Sequence, residues 1–213
     1  MISSKSKFLA QILEEEEYRL FEPLYINFSM KESSKNYPYV QEVFYDFLEG
    51  EGNPFPVKLN FPLLHDNFVL ALDEELAFNR YRKNTLKSPF YEKFERLNLN
   101  QYQRYCRTYE KNCLKIGLQK GVWTNKLAEK YFKKPSEPGD FFGNGSPGWK
   151  YISFQQFLQD VYAEENRWNF HRISIYDNVL TEGKLQPIGK LMETRNEKYK
   201  KTIFNFLKMK LKL

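Results

Sequence analysis

The chain has 213 residues, 41% hydrophobic, 17% aromatic and 28% charged, with a formal net charge of +6. That length and apolar share suit one domain with a sizeable core. No apolar run approaches the ~18 residues of a membrane-spanning helix. The segment MISSKSKFLAQILEEEEY lacks the apolar stretch of a signal peptide, and two cysteines are too few for a disulfide framework. These absences make the expectation a cytoplasmic protein without a membrane partner.

A helix is predicted from about Ser6 to Phe21, with Phe8, Leu9, Ile12 and Leu13 as its apolar stripe and Glu14 to Glu17 exposed. Leu24 to Met30 is strand-like. Pro38 suits the first turn of a second helix, in which Val40, Val43, Phe44, Phe47 and Leu48 recur at helical spacing. Glu42 and Asp46 lie together on the other side of that helix. Val57, Leu59, Phe61 and Leu63 alternate with polar residues or proline, which is strand periodicity. His65-Asp66-Asn67 reads as a turn into a second strand, so 57–63 is expected to pair with 68–75 in a hairpin. The expected sheet has four to five strands and includes 170–176.

From Leu99 to Ile116 a long helix is predicted, with Tyr102, Tyr105, Cys106, Tyr109 and Cys113 on one face. Along a helix the two cysteines stand about 10 Å apart, beyond disulfide reach, so both are expected to be reduced. Gly121 to Lys134 reads as a short helix. Residues 135–148 contain four Gly and three Pro around Phe141-Phe142. Such a loop either binds a ligand or plugs the core with its two rings. Ser146-Pro147 starts another helix, with Phe154, Phe157, Leu158, Val161 and Tyr162 at helical spacing. Trp168 to Tyr176 reads as a strand. Residues 190–213 carry eight Lys or Arg and two Glu, and so account for the whole net charge. They are predicted to form a basic amphipathic helix docked on the α/β body at 1–189.

The chemistry-bearing stretch is Phe68 to Arg82. An apolar strand runs into Asp73, Glu74 and Glu75, and Arg80 and Arg82 follow. Carboxylates at a strand end offer the hard oxygens that Mg²⁺ or Mn²⁺ requires, and arginines suit phosphate oxygens. Alternation sets Asp73 and Glu75 on one face if the strand continues, which makes them the expected metal pair. The order of helix, hairpin, helix and strand resembles the PD-(D/E)XK, or restriction-endonuclease-like, nucleases, in particular their very-short-patch-repair-like branch. Ala71-Leu72-Asp73-Glu74-Glu75-Leu76-Ala77-Phe78 is similar to that branch's E-x-D-G-x-x-H-F pattern. Asp73 and Phe78 match it, whereas Ala71, Glu74 and Ala77 depart from it. Asn60 stands where the preceding strand would carry an Asp, Glu42 stands as the helix acid would, and Arg172-Ile173 is similar to the late strand.

The resemblance covers about Pro38 to Asp177. It implies a mixed central sheet flanked by helices and metal-assisted attack of water on a phosphodiester of DNA. Asp73 and Glu75 would hold the metal, with Glu42 as a further acid and Glu74 or Asp66 as alternative ligands. Lys150 or Lys111 would stabilise the developing charge. Arg80, Arg82, Lys198, Lys200 and Lys201 are the expected nucleic-acid contacts. The alternative is a catalytically inactive module of the same fold that binds nucleic acid or another protein.

Overall fold

The computed structural model describes residues 3–94 and 96–213. In chain order it contains α1 (Ser4–Glu15), β1 (Leu24–Phe28), α2 (Tyr37–Gln41) running into a π turn (Glu42–Phe47), and β2 (Val57–Phe61). Then come β3 (Leu63–His65), β4 (Phe68–Asp73), a 3-10 turn (Glu75–Ala77), α3 (Arg80–Thr85) and a second 3-10 turn (Pro89–Lys93). Helices α4 (Leu99–Thr108), α5 (Glu110–Gln119), α6 (Lys126–Phe132) and α7 (Pro147–Glu165) follow. The remaining elements are β5 (Phe170–Ser174), β6 (Asn178–Thr181), β7 (Lys184–Pro187), α8 (Ile188–Thr194) and α9 (Lys200–Leu211). The fold is mixed α/β.

The strands form small sheets rather than the single sheet of four to five strands that was expected. β1 pairs with β2, β3–β4–β5 form a three-stranded sheet, and β6 pairs with β7. Pro62 explains the difference. It has no N–H to give to a ladder, so the predicted strand 57–63 splits there. Only β3 pairs antiparallel with β4, Leu63 facing Leu70 and His65 facing Phe68. β5 joins β4 in parallel, Val69 facing Phe170 and Asp73 facing Ser174, as the expected placement of 170–176 required.

The chain falls into two compact units. One comprises residues up to Tyr25, Asn60–Glu74 and Asn166–Leu213, and the other comprises Ile26–Leu59 and Glu75–Glu165. In the first, Leu63, Phe68, Leu70 and Ile173 turn one sheet face toward a core shared with Leu9, Ile12 and Leu13 of α1 and Ile203, Phe204 and Leu207 of α9. Ser3 caps α1, its Oγ accepting the Ser6 N–H at 3.0 Å. The helix stops at Glu15, short of the predicted Phe21, because four consecutive carboxylates at a helix C-terminus oppose its dipole. Lys200 Nζ reaches Glu15 Oε1 at 2.7 Å and ties α9 to that end.

The expected 190–213 helix is two helices. Arg195 ends α8 in the left-handed region at φ 47°, and Asn196 Oδ1 accepts the Lys198 N–H at 3.1 Å to start a new turn. Residues 190–213 belong to the first unit. Between β5 and α8 lies a hairpin that was not predicted, β6–β7, closed by Glu182 and Gly183 at φ 52° and 74°. A two-residue turn with both φ values positive matches the strand twist.

In the second unit α7 runs through the core. Trp149, Phe154, Phe157, Leu158 and Val161 are all buried, and Phe154 meets Phe44 at 5.1 Å. Ser146 Oγ accepts the Trp149 N–H at 3.3 Å, the predicted cap. The predicted helix 99–116 is broken at Tyr109 into α4 and α5. Cys106 and Cys113 are buried and form no disulfide.

Candidate functional site

Asp73 is the last residue of β4 and is 5% exposed. Its Oδ1 accepts a hydrogen bond from Arg172 Nη1 at 2.8 Å, with the side chains 5% and 2% exposed. Parallel pairing places Arg172 opposite Ala71, so the guanidinium lies diagonally across from the carboxylate on the same sheet face. The Asp73 C=O accepts the Ile175 N–H at 3.0 Å. The one matching acid of the carboxylate motif is thus held by a buried cation where a metal ion was expected.

Glu75 does not share a strand face with Asp73. The strand ends at Asp73, and Glu75 opens the 3-10 turn, so the alternation behind the predicted pair does not extend to it. Glu74 is 3.8 Å from Lys5 Nζ. Glu42 lies in the π turn and accepts the Ser88 hydroxyl at 3.2 Å. Lys150 is 3% exposed and donates to Glu49 Oε2 at 2.6 Å. Among the described residues no group of three or more His, Cys, Asp or Glu is arranged to hold a metal ion.

The arginines also have internal partners. Arg82 is 1% exposed, and its Nη2 is 2.9 Å from Asp160 Oδ2 while its Nη1 reaches Tyr91 Oη at 2.9 Å. Tyr91 donates its own hydroxyl to Asp160 at 2.6 Å. A guanidinium enclosed in this way cannot reach a phosphate, so Arg82 is corrected from nucleic-acid contact to buried scaffold. Arg80 is more open but holds Glu110 in two-point fashion, at 2.8 and 3.0 Å, and lies 3.6 Å over the Phe141 ring.

On the C-terminal helix the expected contacts divide. Lys198 pairs with Glu182 at 2.8 Å, and Lys200 with Glu15 and Glu197 at 2.7 and 2.8 Å. These hydrogen bonds raise the pKa of both lysines, through Glu182 and Glu15 first. Lys201 is exposed, as are Lys208 and Lys212. α9 holds Lys200, Lys201, Lys208 and Lys210 and no carboxylate; Lys201 and Lys208, seven apart, share one helical face, and Lys212 follows as the left-handed cap at φ 56°. Lys208 and Lys212 were not singled out from the sequence, although their spacing from Lys201 carried the signal.

A family profile described as a family of unknown function, DUF7255, matches residues 43–194. The chain belongs to the DUF7255 family. The matched segment contains Asp73, Arg172, Arg82 and Asp160, and it ends before α9. No curated protein and no solved structure matches the chain. No helix among the described residues is long and apolar enough to cross a membrane.

Proposed function

We propose that this DUF7255 chain is a catalytically inactive, nuclease-like module that binds nucleic acid through the lysine face of α9. The observation that carries the inactive reading is the buried ion pair of Asp73 with Arg172. Mg²⁺ demands several oxygens in octahedral array, and a guanidinium within hydrogen-bond distance of the leading ligand competes with it directly. The departures at Ala71, Glu74 and Ala77 point the same way. The restriction-endonuclease-like part of the reading is supported by the order of α1, the β3–β4 hairpin, α7 and a β5 strand parallel to β4.

The binding part is supported by where the charge lies. Lys201 and Lys208 present cations on one face of α9, which holds no acid, and exposed Lys212 follows at its end, an arrangement suited to a run of phosphates. Incubation of labelled single- and double-stranded DNA with Mg²⁺ or Mn²⁺ tests the reading. Retention of the DNA without cleavage, and a melting temperature unmoved by Mn²⁺, are expected. Metal-dependent cleavage that Asp73→Asn abolishes would restore the nuclease reading, with Asp73 and Glu75 as ligands.

A further inference from the structure

We propose that the chain associates with a second copy of itself, head to tail, by inserting Phe142 into an aromatic socket formed by Tyr39, Phe90 and Phe94. Both features lie in the unit built from Ile26–Leu59 and Glu75–Glu165, and neither is used by the function proposed above.

The Gly/Pro-rich loop is an ordered structure. Ser136 N–H donates to the Gly145 C=O at 3.0 Å, Trp123 Nε1–H to the Ser136 C=O at 2.9 Å, and Asn144 Nδ2 to the Lys134 C=O at 3.0 Å. Phe141 anchors it, packed 5.6 Å from Trp123 and 5.9 Å from Trp149 beneath the Arg80 guanidinium. Its neighbour points outward. Phe142 is 85% exposed, more than any other large apolar side chain among the described residues. Its N–H donates to Asp140 Oδ1 at 2.8 Å, and its C=O accepts from Ser136 Oγ and from the Gly145 N–H. The backbone is held on both sides while the ring is presented to solvent. An anchor fixed in this way loses little conformational entropy on docking.

The socket matches the ring in size and the loop in charge. It has a volume of about 180 Å³, walled by Tyr39, Pro89, Phe90 and Phe94. An apolar cavity of about 150 Å³ is enough to take benzene. Tyr39 and Phe90 stand edge to face at 6.3 Å in its wall. Its other lining residues among those described are Asn36, Lys35, Lys93 and one acid, Glu164. The loop from Pro135 to Ser146 carries exposed Glu137 and Asp140 and no cation, although Lys133 and Lys134 precede it. Lys133 is paired with Glu51 at 2.8 Å. The carboxylates flanking Phe142 disfavour a phosphate backbone or an anionic lipid surface, and they complement the two lysines of the socket. Joined head to tail, each knob in the next copy's socket, the contact is heterologous and closes into a ring or extends as a chain.

Sedimentation of the full chain from about 1 µM to about 1 mM spans contacts of this strength. The wild type should grow beyond its 25.7 kDa monomer as concentration rises. Phe142→Ser, at an exposed position that leaves the melting temperature unchanged, should weaken association about tenfold or more. Lys35→Glu with Lys93→Glu should weaken it similarly. Mixing those two variants restores one intact junction and should give a heterodimer that grows no further. A wild type that stays monomeric throughout, a Phe142→Ser variant that associates like wild type, or a mixture with no heterodimer would each overturn the proposal.

Discussion

Asp73 and Arg172 show how one contact redirects a chemical reading. A strand-end carboxylate in water is a metal ligand waiting for an ion. The same carboxylate beside a guanidinium at 2.8 Å, with both side chains enclosed, is an ion pair whose loss leaves a buried charge. Arg172→Met should therefore cost about 3–5 kcal/mol in chemical denaturation, and adding Asp73→Leu should recover most of that loss. A cost below about 1 kcal/mol would place the pair in an exposed, weakly coupled setting. Arg82, Tyr91 and Asp160 make a second buried network of the same kind. Arg82 and Asp73 look like site residues in one dimension because type and spacing are visible there. Their partners, 78 and 99 residues away, are not.

Cys113 gives a pH prediction. Burial pushes its thiol up from the ordinary 9 to about 12, ahead of the opposing hydrogen bond from Asn79. The folded state thus binds the proton more tightly than the unfolded chain does. The sign follows from linkage: the contribution to stability is complete below pH 9 and is lost as pH rises from 9 toward about 12. Native protein at pH 8 should resist thiol alkylation at Cys113 until denaturant is added. Rapid native labelling at Cys113 would contradict the burial.

Among the elements, those with long, uninterrupted periodicity were legible. Ser146-Pro147 followed by apolar residues at helical spacing gave α7 at its observed start, and the β4 and β5 runs emerged as neighbours. Breaks were less legible. Pro62 ends β2 by a missing donor, Tyr109 interrupts a predicted helix, and Arg195 adopts a left-handed conformation that its residue type does not announce. The β6–β7 hairpin escaped because Leu180 and Leu185 face each other on its exposed side, 67% and 69% exposed, and so blur the alternation of apolar and polar residues. In the loop the core-plug reading holds for Phe141, which packs on Trp123 and Trp149, and not for Phe142, which is exposed. Gly148 on α7 is a further test of packing. A Cβ there would stand 2.0 Å from the Val122 carbonyl oxygen, a backbone atom. Gly148→Ala should cost about 1–3 kcal/mol or more, measured by denaturant midpoint, because the neighbour cannot rotate away.

For the whole molecule the informative property is where charge sits. Residues 1–189 are neutral overall, and the +6 resides in the segment that forms α8 and α9. Apolar residues of α9 are committed to the core with α1 and the sheet, which fixes the helix and leaves Lys201, Lys208 and Lys212 outward. Lysines that contact a polyanion differ from lysines that only meet water in one measurable respect, the release of counterions from the bound polyanion. The central claim is tested most directly by fluorescence anisotropy of a labelled duplex titrated with protein at several salt concentrations. For wild type, log Kobs should fall with log salt at a slope of about −3, as expected for three phosphate contacts. Reversal of Lys201, Lys208 and Lys212 to Glu should abolish binding or flatten that slope, with no change in melting temperature. Wild type that shows no salt-dependent binding, or a triple variant with the wild-type slope, would contradict the account.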